Sequence, residues 1–301
     1  MAQGLLNRFS PYLQAFSLIL ILACCFVPVQ VANSKPIEIF VSILPQKNFV
    51  ERIGGENVNV HVMVGPGQSP ATYEPTPKQM AKLAQADIYF RIGTPFENVW
   101  MERIRNSNPA LTIIDARERI QLRQMEHSRI SPGPSTHHHG LNDPHIWTNP
   151  INVKQFMERF TEILSGLYPK SAPVFKSNYD QFATELIELD HKIHAIFRNI
   201  LNKSFLVFHP SWGYFSDRYG LEQISIELEG KTPNAKELAS VIDYAKQHNI
   251  KRVFVQKQFS QKDAQAVANA IGGKVIVVDP LAENYMHNLL EAAQQFAGSM
   301  T

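Results

Sequence analysis

The stretch from Ser171 to Ile200 restricts the fold of this chain most. Phe175, Tyr179, Phe182, Leu186, Leu189, Ile193 and Phe197 recur there at every third or fourth position, with no interior Gly or Pro after Pro173. That spacing predicts one amphipathic helix, which at 1.5 Å per residue would reach roughly 40 Å. A helix of that length can join two lobes as a stiff rod.

The segments on either side of the rod share one order. Before it, Ile37 to Leu44, Val58 to Val64, Asp87 to Ile92 and Leu111 to Ile114 are short and rich in β-branched or aromatic residues. Amphipathic stretches at Gln46–Ile53, Pro77–Ala84 and Phe96–Ile104 separate them. After it, strands are expected at Phe205–Phe208, Gln223–Ile226, Arg252–Gln256 and Lys274–Val278, and helices near Ala235–Gln247, Gln261–Ile271 and Glu283–Phe296. The expected fold is α/β, with two lobes, each a parallel sheet flanked by helices, joined by one long helix. No internal sequence repeat is evident.

The first 34 residues carry one charge, Arg8, and the run from Phe16 to Val27 is apolar except for Ser17. That run suits a signal-peptide core and is too short to span a bilayer. Ala32-Asn33-Ser34 offers small residues for cleavage before Lys35. Export to the periplasm or another extracytoplasmic space is expected; lipid anchoring at Cys24, within a loose lipobox, is the alternative. Both cysteines, Cys24 and Cys25, lie in this segment, so a chain cleaved after Ser34 has no disulfide and no thiolate ligand. The expected organisation is a signal peptide over 1–34, an N-terminal lobe over 35–170, the linking helix over 171–200 and a C-terminal lobe over 201–301. A net charge of +2 without a basic block gives no footing for nucleic acid.

Three distant segments each offer one metal-competent side chain: His145 in DPHIW, His209 in FHPSWGYF and Asp279 in VVDPL. Two imidazoles and a carboxylate suit a borderline divalent ion such as zinc. His209 and Asp279 each follow an expected strand directly, and ligands of open parallel sheets sit at the carboxyl ends of strands. Asp279 also reads as a turn-former ahead of Pro280. A biased tract from His127 to His139 ends in three consecutive histidines and reads either as a metal-collecting loop or as a solvated spacer. His191 and His194 share a face of the long helix and are expected to be solvated.

From about Ile37 onward the chain resembles the zinc/manganese group of metal-binding solute-binding proteins that serve bacterial ABC transporters. The resemblance rests on GQSPATYEPTPKQ, ADIYFRIGTPFENVW, DPHIWTNP, FHPSWGYFSDRYGL, GKTPNAKEL, FVQKQFS and VVDPLAENY, in that order and spacing. It implies a metal held between two lobes and delivered to a membrane permease with its ATPase, by a monomer without catalytic activity. It places His145, His209 and Asp279 at the family's second, third and fourth ligand positions. At the first, normally a histidine, stands Ala71, which leaves three protein ligands plus water, or a substitute from Glu74, Tyr73 or the histidine-rich tract. Histidine at the third position favours Zn2+ as the transported ligand over Mn2+. Glu97 resembles a structural position at a helix start.

Enzymatic signatures are lacking: HExxH, GxSxG, a P-loop and the Rossmann glycine fingerprint are absent. Ser211 lies two residues after His209, without an oxyanion-hole motif. The competing readings are a zinc hydrolase using the position left open at Ala71, with Glu74 as its base, and a metal-dependent surface adhesin.

Overall fold

In the computed structural model, residues 35–125, 142–227 and 234–300 are described. The expected signal peptide with Cys24 and the histidine-rich tract lie outside them. The first half runs β1 (Ile37–Ile43), α1 (Leu44–Gly54), β2 (Val58–Val64), α2 (Pro77–Leu83), β3 (Ile88–Arg91), α3 (Pro95–Ser107) and β4 (Thr112–Asp115). Its four strands are parallel, in the order β2-β1-β3-β4. Then follow α4 (Pro150–Leu167) and the long helix α5 (Ala172–Phe197). The second half runs β5 (Ser204–Val207), α6 (Gly213–Tyr219), β6 (Glu222–Ser225), α7 (Ala235–Gln247), β7 (Arg252–Val255), α8 (Gln261–Ala270), β8 (Lys274–Val277) and α9 (Tyr285–Ala297). Its sheet, also parallel, has the order β6-β5-β7-β8. The two lobes therefore share one winding although their sequences show no repeat. In each, the chain leaves the first strand toward one neighbour and returns on its other side, and at such a switch point open α/β sheets bind ligands beyond the carboxyl ends of their strands.

The expected strands all form, four of them a residue or two shorter than their apolar runs and three shifted by one residue. Two helices were not anticipated. Helix α4 starts where the Asn149 side chain accepts the Ile151 amide and Pro150 takes the first helical position, and it buries Val153, Phe156, Met157, Phe160 and Leu164 on one face. Helix α6 is a single short element that ends at Gly220 in the left-handed conformation.

Helix α5 has 26 residues and supplies the common floor of both lobes. Its buried face packs on α1 and α4 from one lobe and on α6 and α9 from the other. One apolar core consequently runs from Phe49, Phe90 and Phe156 through Phe182 and Phe197 to Phe215, Phe254 and Phe296. A core shared in this way resists independent movement of the lobes, because any rotation must break close packing.

One charge is buried in this floor. Asp190 of α5 accepts from Arg218 Nε at 2.8 Å and Nη2 at 2.6 Å and from the Tyr219 hydroxyl at 3.1 Å. Burial alone would raise this carboxyl, but Arg218 and Tyr219 hold it below its ordinary 3.8. Its stabilising contribution is therefore complete above about pH 4 and is lost as pH falls through the depressed folded value. Asp190→Asn is expected to lower stability at pH 7 by about 3 kcal/mol, the low end for a broken buried pair because Arg218 is partly solvated. Thermal melts at pH 7 and pH 3 check this: the gap between parent and variant should narrow at pH 3.

Candidate metal centre

His145 sits in the connection between the two lobes' sheets, at the start of a single 3-10 turn, Ile146–Thr148. Its backbone N–H donates to Asp143 Oδ1 at 2.9 Å, and its Nδ1 lies 2.7 Å from the same oxygen. A carboxylate only accepts, so Nδ1 carries the proton. The other Asp143 oxygen accepts from Arg123 Nη1 at 2.9 Å. Burial would raise Asp143, but His145 and the Arg123 guanidinium outweigh it and hold this carboxyl below its usual range.

His209 stands two residues beyond β5 and repeats the arrangement from the other lobe. Its Nδ1 lies 2.5 Å from Glu227 Oε2, a carboxylate just past β6 whose backbone N–H donates to the Phe208 carbonyl at 2.8 Å. Phe259 stacks on the ring at 4.7 Å. Burial pushes the His209 imidazole below its ordinary 6.5, and the bond to Glu227 offsets this only in part, so the ring is neutral at pH 7. Metal coordination needs that neutral form.

The two imidazole rings meet with their centroids 5.3 Å apart. With each Nδ1 turned to a buried carboxylate, each Nε2 is the nitrogen left for a ligand, and among the described residues neither Nε2 has a hydrogen-bonding partner. A histidine whose second nitrogen is held by a carboxylate is the usual construction of a zinc ligand.

Asp279 is placed differently. Its Oδ1 accepts the Leu281 amide at 3.0 Å and faces the Gln258 amide at 3.5 Å, while Lys257 Nζ lies 3.9 Å from Oδ2. Among the described residues no three His, Cys, Asp or Glu side chains form a ready-made metal cluster; the two histidine rings meet, and Asp279 is engaged by Leu281 and Gln258. Trp147 links the segments. Its indole N–H donates to the Pro280 carbonyl at 2.8 Å, and its own carbonyl accepts the Tyr285 hydroxyl at 2.8 Å.

Of the substitutes for the family's first ligand, Tyr73 is buried and its hydroxyl donates to Gln79 Oε1 at 2.6 Å, which commits it elsewhere. Ala71 and Glu74 are exposed. The turn bearing Ala71 is anchored where the Phe96 amide donates to the Pro70 carbonyl at 3.2 Å. Glu97, fully buried, accepts from the Ile92 and Gly93 amides, Thr94, Ser42 and Arg91, and so fixes the start of α3 beside that turn. The Ser211 hydroxyl accepts from the Gln256 amide, and among the described residues no hydrogen bond joins it to the His209 ring. His191 is exposed, and His194 Nε2 lies 3.9 Å from Asp190. Sequence reading missed Asp143 and Glu227, yet both had a signal: Asp143 stands two residues before His145, and Glu227, like His209 and Asp279, lies two residues past a strand.

The model of the family described as ZnuA, zinc-uptake complex component A, periplasmic, matches residues 39–299. The chain belongs to this family. A crystal structure of ZnuA superposes with a TM-score of 0.83 at 38% identity, covering 89% of this chain and 100% of that one. A ZnuA deletion mutant with zinc bound superposes with a TM-score of 0.82 at 38% identity, covering 89% and 99%. The zinc-binding protein AdcA of Streptococcus pyogenes serotype M3 is 27% identical over 285 residues, covering 89% of this chain and 54% of AdcA. The chain thus spans about half the length of the AdcA proteins it matches. Within the ZnuA family frame, Trp147 is the strut between two candidate ligand segments. Trp147→Phe keeps the aromatic packing but leaves the Pro280 carbonyl without its donor, so it is expected to cost about 1 kcal/mol and to lower Tm by about 2 °C. Calorimetry of the metal-free protein measures this; an unchanged Tm would remove the strut from the account.

Proposed function

We propose that this protein is an extracytoplasmic solute-binding protein that captures Zn2+ between its lobes and delivers it to the permease and ATPase of an ABC importer, without catalysis. The observation that carries the reading is the pair of imidazoles, one from each lobe, each locked through Nδ1 by a buried carboxylate. Zinc is the cargo. Both Nε2 atoms would approach it to about 2.0–2.1 Å, and Asp279 would complete the set by turning away from Gln258 and Lys257. Imidazole donors favour zinc over manganese, which prefers oxygen ligands. Membership of a periplasmic family supports a leader over 1–34 with cleavage after Ser34, and the protein acts as a monomer of two lobes bounded near residues 170 and 201.

Calorimetric titration of the metal-free protein tests the ligand set. The double variant His145→Ala, His209→Ala is expected to lose high-affinity zinc binding and the rise in Tm that zinc confers on the parent. Retention of the parent's affinity would remove this site. Ala71→His tests the fourth position in the same assay. If the turn faces the metal, a fourth protein ligand closes the tetrahedral set and tightens binding about tenfold; weaker binding would place the turn away from the metal.

A further inference from the structure

We infer that Arg123 is a positioning residue for metal capture: its guanidinium fixes Asp143, the carboxylate that holds His145, against helix α6 of the opposite lobe. This rests on the metal-site reading above and extends it beyond the groups that touch the ion.

Arg123 and Asp143 are joined twice. The Asp143 amide donates to the Arg123 carbonyl at 2.9 Å, and Arg123 Nη1 donates to Asp143 Oδ2 at 2.9 Å. The next residues out, Gln124 and Asn142, form an isolated antiparallel bridge, so the chain is pinched at this point. Asp143 therefore has both oxygens assigned: Oδ1 to His145, through its backbone and its ring, and Oδ2 to Arg123.

Among the described residues, Arg123 also reaches the other lobe. Its Nε donates to Asp217 Oδ2 at 2.8 Å, its backbone N–H donates to the Tyr214 hydroxyl at 3.1 Å, and that hydroxyl donates to the Asp143 carbonyl at 3.2 Å. The guanidinium lies directly on Gly213: a Cβ there would fall 1.6 Å from Nη1 and 2.6 Å from Asp143 Oδ2. No residue but glycine leaves that seat open. Gly213, Tyr214 and Asp217 all belong to α6, four to eight positions after His209, so Arg123 ties the support of one histidine to the element that follows the other.

The arrangement serves placement more than stability. Asp217 is 60% exposed, and an ion pair of that kind contributes little. The geometry is also specific to arginine, whose planar fork reaches two carboxylates in fixed directions, whereas a lysine ammonium reaches one as a point charge. Loss of the fork frees Asp143 Oδ2, and the His145 ring loses its fixed bearing relative to His209. Groups that support a ligand in this way typically contribute 10- to 100-fold in metal affinity.

The test compares the parent, Arg123→Lys, Gly213→Ala and the His145→Ala, His209→Ala double variant as full-length mature protein. Zinc affinity is read by competition with a chelator, coordination by the visible absorption of the Co2+-loaded form, and fold by the Tm of the metal-free protein. Arg123→Lys is expected to weaken zinc about tenfold and alter the Co2+ spectrum, with Tm close to the parent's. Gly213→Ala, which keeps Arg123 but blocks its seat, should do the same; if it fails to fold, Arg123→Lys alone decides. Zinc affinity within twofold of the parent and an unaltered Co2+ spectrum in Arg123→Lys would overturn the inference, whatever happens to Tm. If the double variant loses zinc in that same experiment, the metal-site reading stands while the inference falls. If the double variant binds like the parent, both fall.

Discussion

The hydrogen bond from each site histidine to a buried carboxylate is the interaction on which the rest of the molecule depends. Without Asp143 and Glu227, two imidazoles with ring centres 5.3 Å apart could take either tautomer and several orientations. With them, each Nδ1 is committed and each Nε2 is presented. At His209 burial disfavours the charged ring, against the pull of Glu227. Local hydrogen bonding therefore orients the two candidate ligands in advance.

Preparation of this kind is useful only if the two histidines, which come from different lobes, keep their spacing. The long helix α5 supplies a common floor through one continuous apolar core, and the Asp190–Arg218 pair anchors that floor to α6. Above it, Trp147 ties the His145 segment to the carbonyl beside Asp279, and the Tyr285 hydroxyl secures Trp147 in turn. Lys47 of α1 and Glu283 before α9 pair across the same junction. Such a frame favours small side-chain adjustments over wide opening of the lobes, and Asp279 is the candidate ligand with an adjustment left to make.

Much of this was legible in the sequence because the relevant signals are local. Strands announced themselves as short β-branched runs, and α5 as a stripe of apolar residues without Gly or Pro. His145 and His209 stood in motifs whose order pointed to one site, and they do meet. Helix α4 is harder to read because its start, Asn149-Pro150, closes the DPHIWTNP segment and serves as both motif and cap. The common winding of the two lobes was invisible because it resides in strand order, which different side chains can satisfy equally. Glu227 and Arg123 were missed for a physical reason: their partners lie 18 and 20 or more positions away, and only the folded chain brings them together.

The measurement that bears most directly on this account is X-ray absorption at the zinc edge of the mature protein loaded with one equivalent of Zn2+. The account predicts two imidazole nitrogens at about 2.0–2.1 Å, with the multiple-scattering signature of histidine, and oxygen completing the shell. A shell of oxygen alone, or the same two-imidazole signature retained in the His145→Ala, His209→Ala double variant, would contradict it.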